Sequence, residues 1–107
     1  MAQYLLIESR DPFELDVSHA RALAQGLAKE GNEVTLFLVQ NGVLPARRSS
    51  KSAELTQLSN SGIRVLADGF SLRQRGIGTA SLASGVQAAD LDVVVDGLAS
   101  GQKTIWF

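Results

Sequence analysis

Several short polar stretches in this chain follow apolar runs and carry residues able to do chemistry. Glu8, Ser9, Arg10 and Asp11 follow Tyr4-Leu5-Leu6-Ile7. They could form a charged lip at a ligand edge, or a solvated loop in which Arg10 pairs with Asp11 or Glu14. Asn41-Gly42 follows Val34–Val39. A glycine there lets a backbone amide approach an anion, or simply closes a tight turn. Asp68, Ser71 and Arg75 follow Ile63–Ala67. Asp68 can cap a helix, and Arg73 and Arg75 can bind an anion or face water. His19 has Asp16 three residues before it. That pair is either a general base with an orienting carboxylate or an ordinary surface pair on a helix. Arg47, Arg48 and Lys51 form a basic cluster. It could bind phosphate, RNA in a relay context included, or simply face water; it lacks the interleaved aromatics of a single-strand binder, so nucleic acid is not expected.

Several chemistries are excluded outright. The 107 residues contain no cysteine and one histidine. Disulfides, thiolate metal sites and a cysteine nucleophile are therefore absent from this chain, as is a cluster of histidine ligands. No GxGxxG follows the first apolar run and no GxxxxGK[ST] occurs, so nucleotide binding is not expected. These residues call for no cofactor and no metal. A formal net charge of −1 gives no global attraction to nucleic acid or anionic membrane. No apolar run approaches the roughly 18–20 residues that span a bilayer, and no basic n-region opens the chain. The expected location is the cytoplasm.

These residues need a scaffold, and the stretch Glu33–Val43, EVTLFLVQNGV, defines it. Val34, Leu36, Phe37, Leu38 and Val39 barely alternate with polar residues. Such a run suits a central strand covered on both faces, as in parallel sheets. Ligands of open α/β sheets bind beyond the carboxyl ends of the strands, where Asn41-Gly42 lies. Around it the pattern predicts a strand at Tyr4–Ile7 and a helix over Phe13–Lys29. The helical stripe uses Leu15, Ala22, Leu23, Leu27 and Ala28, with Val17, Ala20 and Ala24 beside it, and Gly31 is the stop. A loop over Leu44–Ser50 leads to a short helix over Ser52–Ser59, then a strand at Ile63–Ala67 and helical turns over Phe70–Arg75. A weak strand follows at Gly85–Ala89. Asp90–Ser100 has strand propensity in Val93-Val94-Val95, yet Leu91, Val94, Val95 and Leu98 fall at i, i+3, i+4, i+7. Helix is the expectation there. Lys103–Phe107 is a last strand. The order βαβαβαβαβ in 107 residues predicts one domain, a three-layer α/β/α sandwich with a five-stranded, mostly parallel sheet.

The segments LLIESRDPFE, LFLVQNGVLPAR, VLADGFSLRQRGI and the terminal KTIWF resemble the DsrE/DsrF/DsrH-like proteins, which include the Tus sulfur-relay subunits. The resemblance covers nearly the full length. The Ser9-Pro12-Phe13 neighbourhood and the tryptophan near the end look most like the DsrH/TusB branch.

The resemblance implies one DsrE/DsrH-like domain over residues 1–107, with a site at the strand carboxyl ends. Ligand-binding candidates there are Glu8, Ser9, Arg10, Asn41, Gly42, Asp68, Ser71 and Arg75. It also implies assembly, as homo-oligomers (trimers or hexamers) or with cysteine-bearing relatives. Phe13, Phe70, Trp106 and Phe107 are the interface candidates, since large aromatics on a terminal strand finish a core or plug into a neighbour. Active relatives carry a persulfide on a cysteine near the segment that here reads Ala67-Asp68-Gly69-Phe70-Ser71. No cysteine stands there, and a serine hydroxyl cannot hold a persulfide. The departure implies a non-catalytic binding or assembly subunit. The alternative is an enzyme or sensor using Glu8, Asn41, Asp68 and Ser71 on a small anion.

Overall fold

The computed structural model describes residues 2–11, 18–47 and 52–107. Five strands form one sheet: β1 (Gln3–Glu8), β2 (Glu33–Leu38), β3 (Arg64–Asp68), β4 (Val86–Ala89) and β5 (Lys103–Trp106). Their order is β4-β3-β2-β1-β5, and every pairing is parallel. The apolar run of β2 thus occupies the centre. Leu36, Phe37 and Leu38 have no solvent exposure, at about 1.5–3 kcal/mol of burial each.

Alternation along the strands divides the core in two. Leu6, Leu36, Leu38, Val65 and Ala67 face α1 (Ser18–Lys29) and α2 (Ser52–Asn60), and pack with Ala24, Leu55 and Leu58. Leu5, Ile7, Phe37, Val39 and Leu66 face the other way, under Val93 and Val94 of α4 (Asp92–Ala99). A short α3 (Gly69–Gln74) closes the carboxyl end of β3 and sends Leu72 into the first core. The C-terminal residues are held in the sheet. Phe107 donates its N–H to the Ile7 carbonyl at 2.7 Å, and Ser9 donates its N–H to the Phe107 carbonyl at 3.1 Å.

Two expectations change. The stripe on α1 is rotated. Ala20 and Ala24 are buried and Leu27 and Ala28 half-buried, while Ala22 and Leu23 face solvent. The reason is Arg21, which is 3% exposed; its ion pairs draw that side of the helix inward. The chain leaving β2 is also more ordered than a turn and loop. Gln40–Ala46 winds as a 3-10 segment with Pro45 inside it. Its end is tied down where Ala83 donates its N–H to the Ala46 carbonyl at 2.8 Å. The expected helix over Asp90–Ser100 forms, with the Asp90 carboxylate accepting the Asp92 N–H at 3.0 Å and Gly101 in the left-handed region at φ 81°. The Phe13–Val17 part of the predicted first helix, and with it Phe13 and Asp16, lies outside the described residues, as do Arg48 and Lys51.

Candidate functional site

β1, β2 and β3 end side by side, and their exits carry the polar residues singled out by sequence. The structure sorts these residues into separate groups. At the end of β3, Asp68 caps α3, its Oδ2 accepting the backbone N–H of Ser71 at 3.0 Å. The same oxygen accepts the Ser71 hydroxyl at 2.7 Å. The Ser71 Oγ in turn accepts the backbone N–H of Gln40 at 2.9 Å. Gln40 is the one described non-glycine residue at positive φ, 52°. The hydroxyl therefore holds a strained residue in place at the exit of β2. Arg75 reaches back to the same exit, donating through Nε and Nη2 to Asn41 Oδ1 at 3.1 and 2.9 Å. Its Nη1 donates to the Ser71 carbonyl at 3.1 Å.

Asp68, Ser71, Asn41 and Arg75 thus converge, but they satisfy one another. The Ser71 proton and an oxygen lone pair are both engaged, and Ser71 and Asp68 are each 5% exposed. A nucleophilic hydroxyl needs an open face and a base able to take its proton onward. The chain's histidine, His19, sits on the exposed surface of α1.

Glu8 belongs to a different group. It follows Leu6 in phase and so enters the α1–α2 side of the sheet, opposite to Asp68, which is in phase with Leu66. It is fully buried. Arg21 Nη2 donates to its Oε2 at 3.4 Å, while Arg21 Nη1 pairs with the half-exposed Glu54 at 3.1 Å. The Glu8 contact is long for a charge-assisted bond. Among the described residues, Glu8 Oε1 and Arg21 Nε have no hydrogen-bond partner. Burial pushes the Glu8 carboxyl above the usual carboxylate range; Arg21 opposes this only in part.

Sequence reading missed Arg21 and Glu54. The signal was present, since Arg21 shares a helical face with Ala24 and Ala28, and Glu8 shares a strand face with Leu6. A charge of each sign in phase with a buried stripe is a buried pair in waiting.

Gly42 is a packing residue. A Cβ there would strike the Glu8 carbonyl oxygen, and its N–H donates to the Val39 carbonyl at 2.9 Å. The approach that a side chain would block is made to β1, not to a ligand. Ser9 ties down the terminus: its hydroxyl donates to the Phe107 carbonyl at 3.0 Å and accepts Trp106 Nε1–H at 3.2 Å. Arg10 is exposed. The interface candidates separate as well. Phe107 packs partly into the core, whereas Trp106 and Phe70 are 61% and 53% exposed.

An open cleft of about 610 Å³ lies beyond the carboxyl ends of β3 and β4, bordered by Phe70, Arg73, Ala89, Asp90 and Leu91. A second groove of about 580 Å³ runs past Tyr4, Asn32, Arg64 and Gln102 at the amino ends, away from the edge where open α/β sheets bind ligands. Among the described residues no group of acidic, histidine or cysteine side chains could hold a metal ion.

This scaffold has counterparts, and the family model that matches it, over residues 3–107, is that of the DsrE/DsrF-like family. The chain belongs to the DsrE/DsrF-like family. Among solved structures, the ychN protein from E. coli is 20% identical with a TM-score of 0.89, each chain covered completely. A protein of unknown function from Methanobacterium thermoautotrophicum is 21% identical with a TM-score of 0.81, again over all of both chains. A conserved protein of unknown function from Bacteroides thetaiotaomicron is 16% identical with a TM-score of 0.82, over 98% of this chain and 94% of that one. At these identities the likeness is one of fold. No curated protein matches the chain significantly. The all-parallel sheet with β1 and β2 inside it is thus the DsrE-like arrangement, here built without a thiol. Among the described residues no helix is long and apolar enough to cross a membrane.

Proposed function

We propose that this chain is a non-catalytic binding or assembly subunit in a sulfur-relay-type complex, of the kind that serves intracellular sulfur transfer, tRNA thiolation or sulfur oxidation. On its Ser9-Pro12-Phe13 neighbourhood and its Trp106 it is placed with the DsrH/TusB branch. It works in the cytoplasm as a trimer or hexamer, or joined to cysteine-bearing relatives.

One observation carries the reading. Near where the resemblance places the relatives' persulfide-bearing cysteine, just after β3, this chain reads Ala67-Asp68-Gly69-Phe70-Ser71 without a thiol, and its Ser71 hydroxyl is buried between Asp68 and Gln40. Persulfide chemistry requires a thiolate. A hydroxyl with both its donor and an acceptor site engaged serves the loop, not a substrate. What the molecule offers outward is instead apolar: Phe70, Leu91, Val95, Leu98 and Trp106 are each more than half exposed. Phe70 and Leu91 border one cleft, and exposed apolar side chains that adjoin one another mark contact with another chain.

Light scattering coupled to size exclusion tests the assembly. A trimer, a hexamer or a complex with a co-expressed cysteine-bearing relative is the expected result. A stable monomer at micromolar concentration that ignores such relatives contradicts it.

A second reading, a sensor or enzyme acting on a small anion, has the buried Glu8 carboxyl of raised pKa in its favour. Against it, Glu8 and Asp68 lie on opposite faces of the sheet, and Arg75 is already held by Asn41. Calorimetric titration with phosphate, sulfate and thiosulfate separates the two readings. Saturable heat that is lost in Arg75→Gln favours the sensor; no heat leaves the binding subunit.

A further inference from the structure

α4 presents two rows to solvent. Val93, Val94 and Gly97 face the sheet, with Gly97 so close that a Cβ would lie 3.2 Å from Leu5 Cδ2. At i, i+4 and i+7 on the outward side stand Leu91, Val95 and Leu98, 56%, 62% and 60% exposed. One helical step round, Asp92 and Asp96 form a second row, also exposed. Neither Asp92 nor Asp96 forms an ion pair with another described residue; Arg73, across the cleft from Asp92, is the cation that shares this surface. Phe70 extends the apolar ridge, since it borders the same cleft as Leu91.

We infer that this ridge docks a partner chain whose contact face carries lysine or arginine around aliphatic side chains, and that this face is not the same ridge of a second copy. The first clause follows from charge complementarity. Three aliphatic side chains at helical spacing form the kind of anchor set a groove or a second helix accepts. The adjoining aspartates favour cations beside that contact. The second clause follows from symmetry. In a two-fold antiparallel contact of α4 with itself, each flank meets the same flank of the other copy. Asp92 and Asp96 would then oppose their own counterparts. The ridge is a handful of side chains, far fewer than the roughly 20–30 residues per side of a standard interface, so it is an anchor within a larger or transient contact.

This inference rests on the binding-subunit reading and names the chemistry of the partner. Its test uses two synthetic helical peptides of roughly four turns. Both carry leucines at i, i+3, i+4, i+7, flanked by lysines in one and by glutamates in the other. Fluorescence anisotropy with the full chain should show the lysine peptide binding about tenfold or more tightly than the glutamate peptide. Asp92→Lys with Asp96→Lys should reverse that preference. Val95→Asp should weaken lysine-peptide binding although it adds an attractive charge, and Leu98→Ser should weaken it without any charge change. Equal binding of the two peptides overturns the inference. So does tighter lysine-peptide binding by Val95→Asp, which would mean charge attraction alone. Self-association of the wild-type chain that disappears in both ridge variants would give the ridge to a second copy and overturn it as well. Assembly that persists in both variants, with no peptide preference, ends this inference and leaves the assembly reading standing.

Discussion

The Ser71 hydroxyl donates to the Asp68 carboxylate at 2.7 Å while accepting the backbone N–H of Gln40. One side chain thereby joins the end of β3 to the exit of β2. Ser71→Ala should leave the part-buried Gln40 N–H and one acceptor site of the buried Asp68 without their partner. The expected loss is about 1–3 kcal/mol, read by urea denaturation. Ser71→Cys should fold with a smaller loss. Its thiol, buried beside a carboxylate, should be unreactive towards a thiol reagent until the protein unfolds. Rapid labelling of the folded variant would mean that the site is open and that the serine is not locked.

Glu8 should leave a signature in the pH dependence of stability. Its pKa is raised above that of an ordinary carboxyl, chiefly by burial. A raised folded-state value means that the folded protein holds this proton more tightly than the unfolded chain. The resulting stabilisation is full below the unfolded value and is lost as pH rises through the folded one. Glu8→Gln is neutral at every pH. The stability of the variant relative to wild type should therefore increase from about pH 4 upward and level off once Glu8 is ionised. A flat difference across that range would show that Glu8 titrates as it does in the unfolded chain.

Arg21 compensates the ionised form of the same group. Arg21→Met keeps the buried stem but strands the carboxylate, and removing one partner of a buried pair costs about 3–5 kcal/mol. The loss should be largest at neutral pH and smaller at an acidic pH at which Glu8 has taken up its proton. Thermal melts at the two pH values check it. An equal loss at both would assign Arg21 a packing role only.

Gly42 is expected to tolerate no side chain. A Cβ would meet the Glu8 carbonyl oxygen, and backbone has little freedom to retreat. Gly42→Ala should cost about 1–3 kcal/mol. Gly26, with no atom within 4 Å of an added Cβ, is the control. Gly26→Ala lies in the middle of α1 and should be neutral or stabilising.

Much of the architecture was legible because it depends on burial. The unbroken apolar run of β2 announced a central parallel strand, and the glycine after α1 and after α4 marked real helix ends. In Asp90–Ser100 the spacing of Leu91, Val94, Val95 and Leu98 correctly indicated a helix, but only Val94 of these packs against the sheet-side core. The other three are the exposed ridge, so a periodic apolar stripe reported an element without telling which side of it was covered. The site was less legible for a related reason. Sequence put Glu8, Asn41, Asp68 and Ser71 at neighbouring strand ends, but whether two strand-end residues meet depends on strand phase. Glu8 and Asp68 fall on opposite faces. Arg21 was hidden because a helix-surface cation looks solvated until its buried partner is known.

The proposed role gives this DsrE/DsrF-like chain recognition of a partner without covalent sulfur transfer of its own. Native mass spectrometry of the chain mixed with a cysteine-bearing family member and a persulfide donor tests it most directly. A complex of fixed stoichiometry is expected, in which the partner alone gains the mass of a sulfur atom. A chain that stays monomeric beside its relatives, or that itself gains the sulfur, would contradict it.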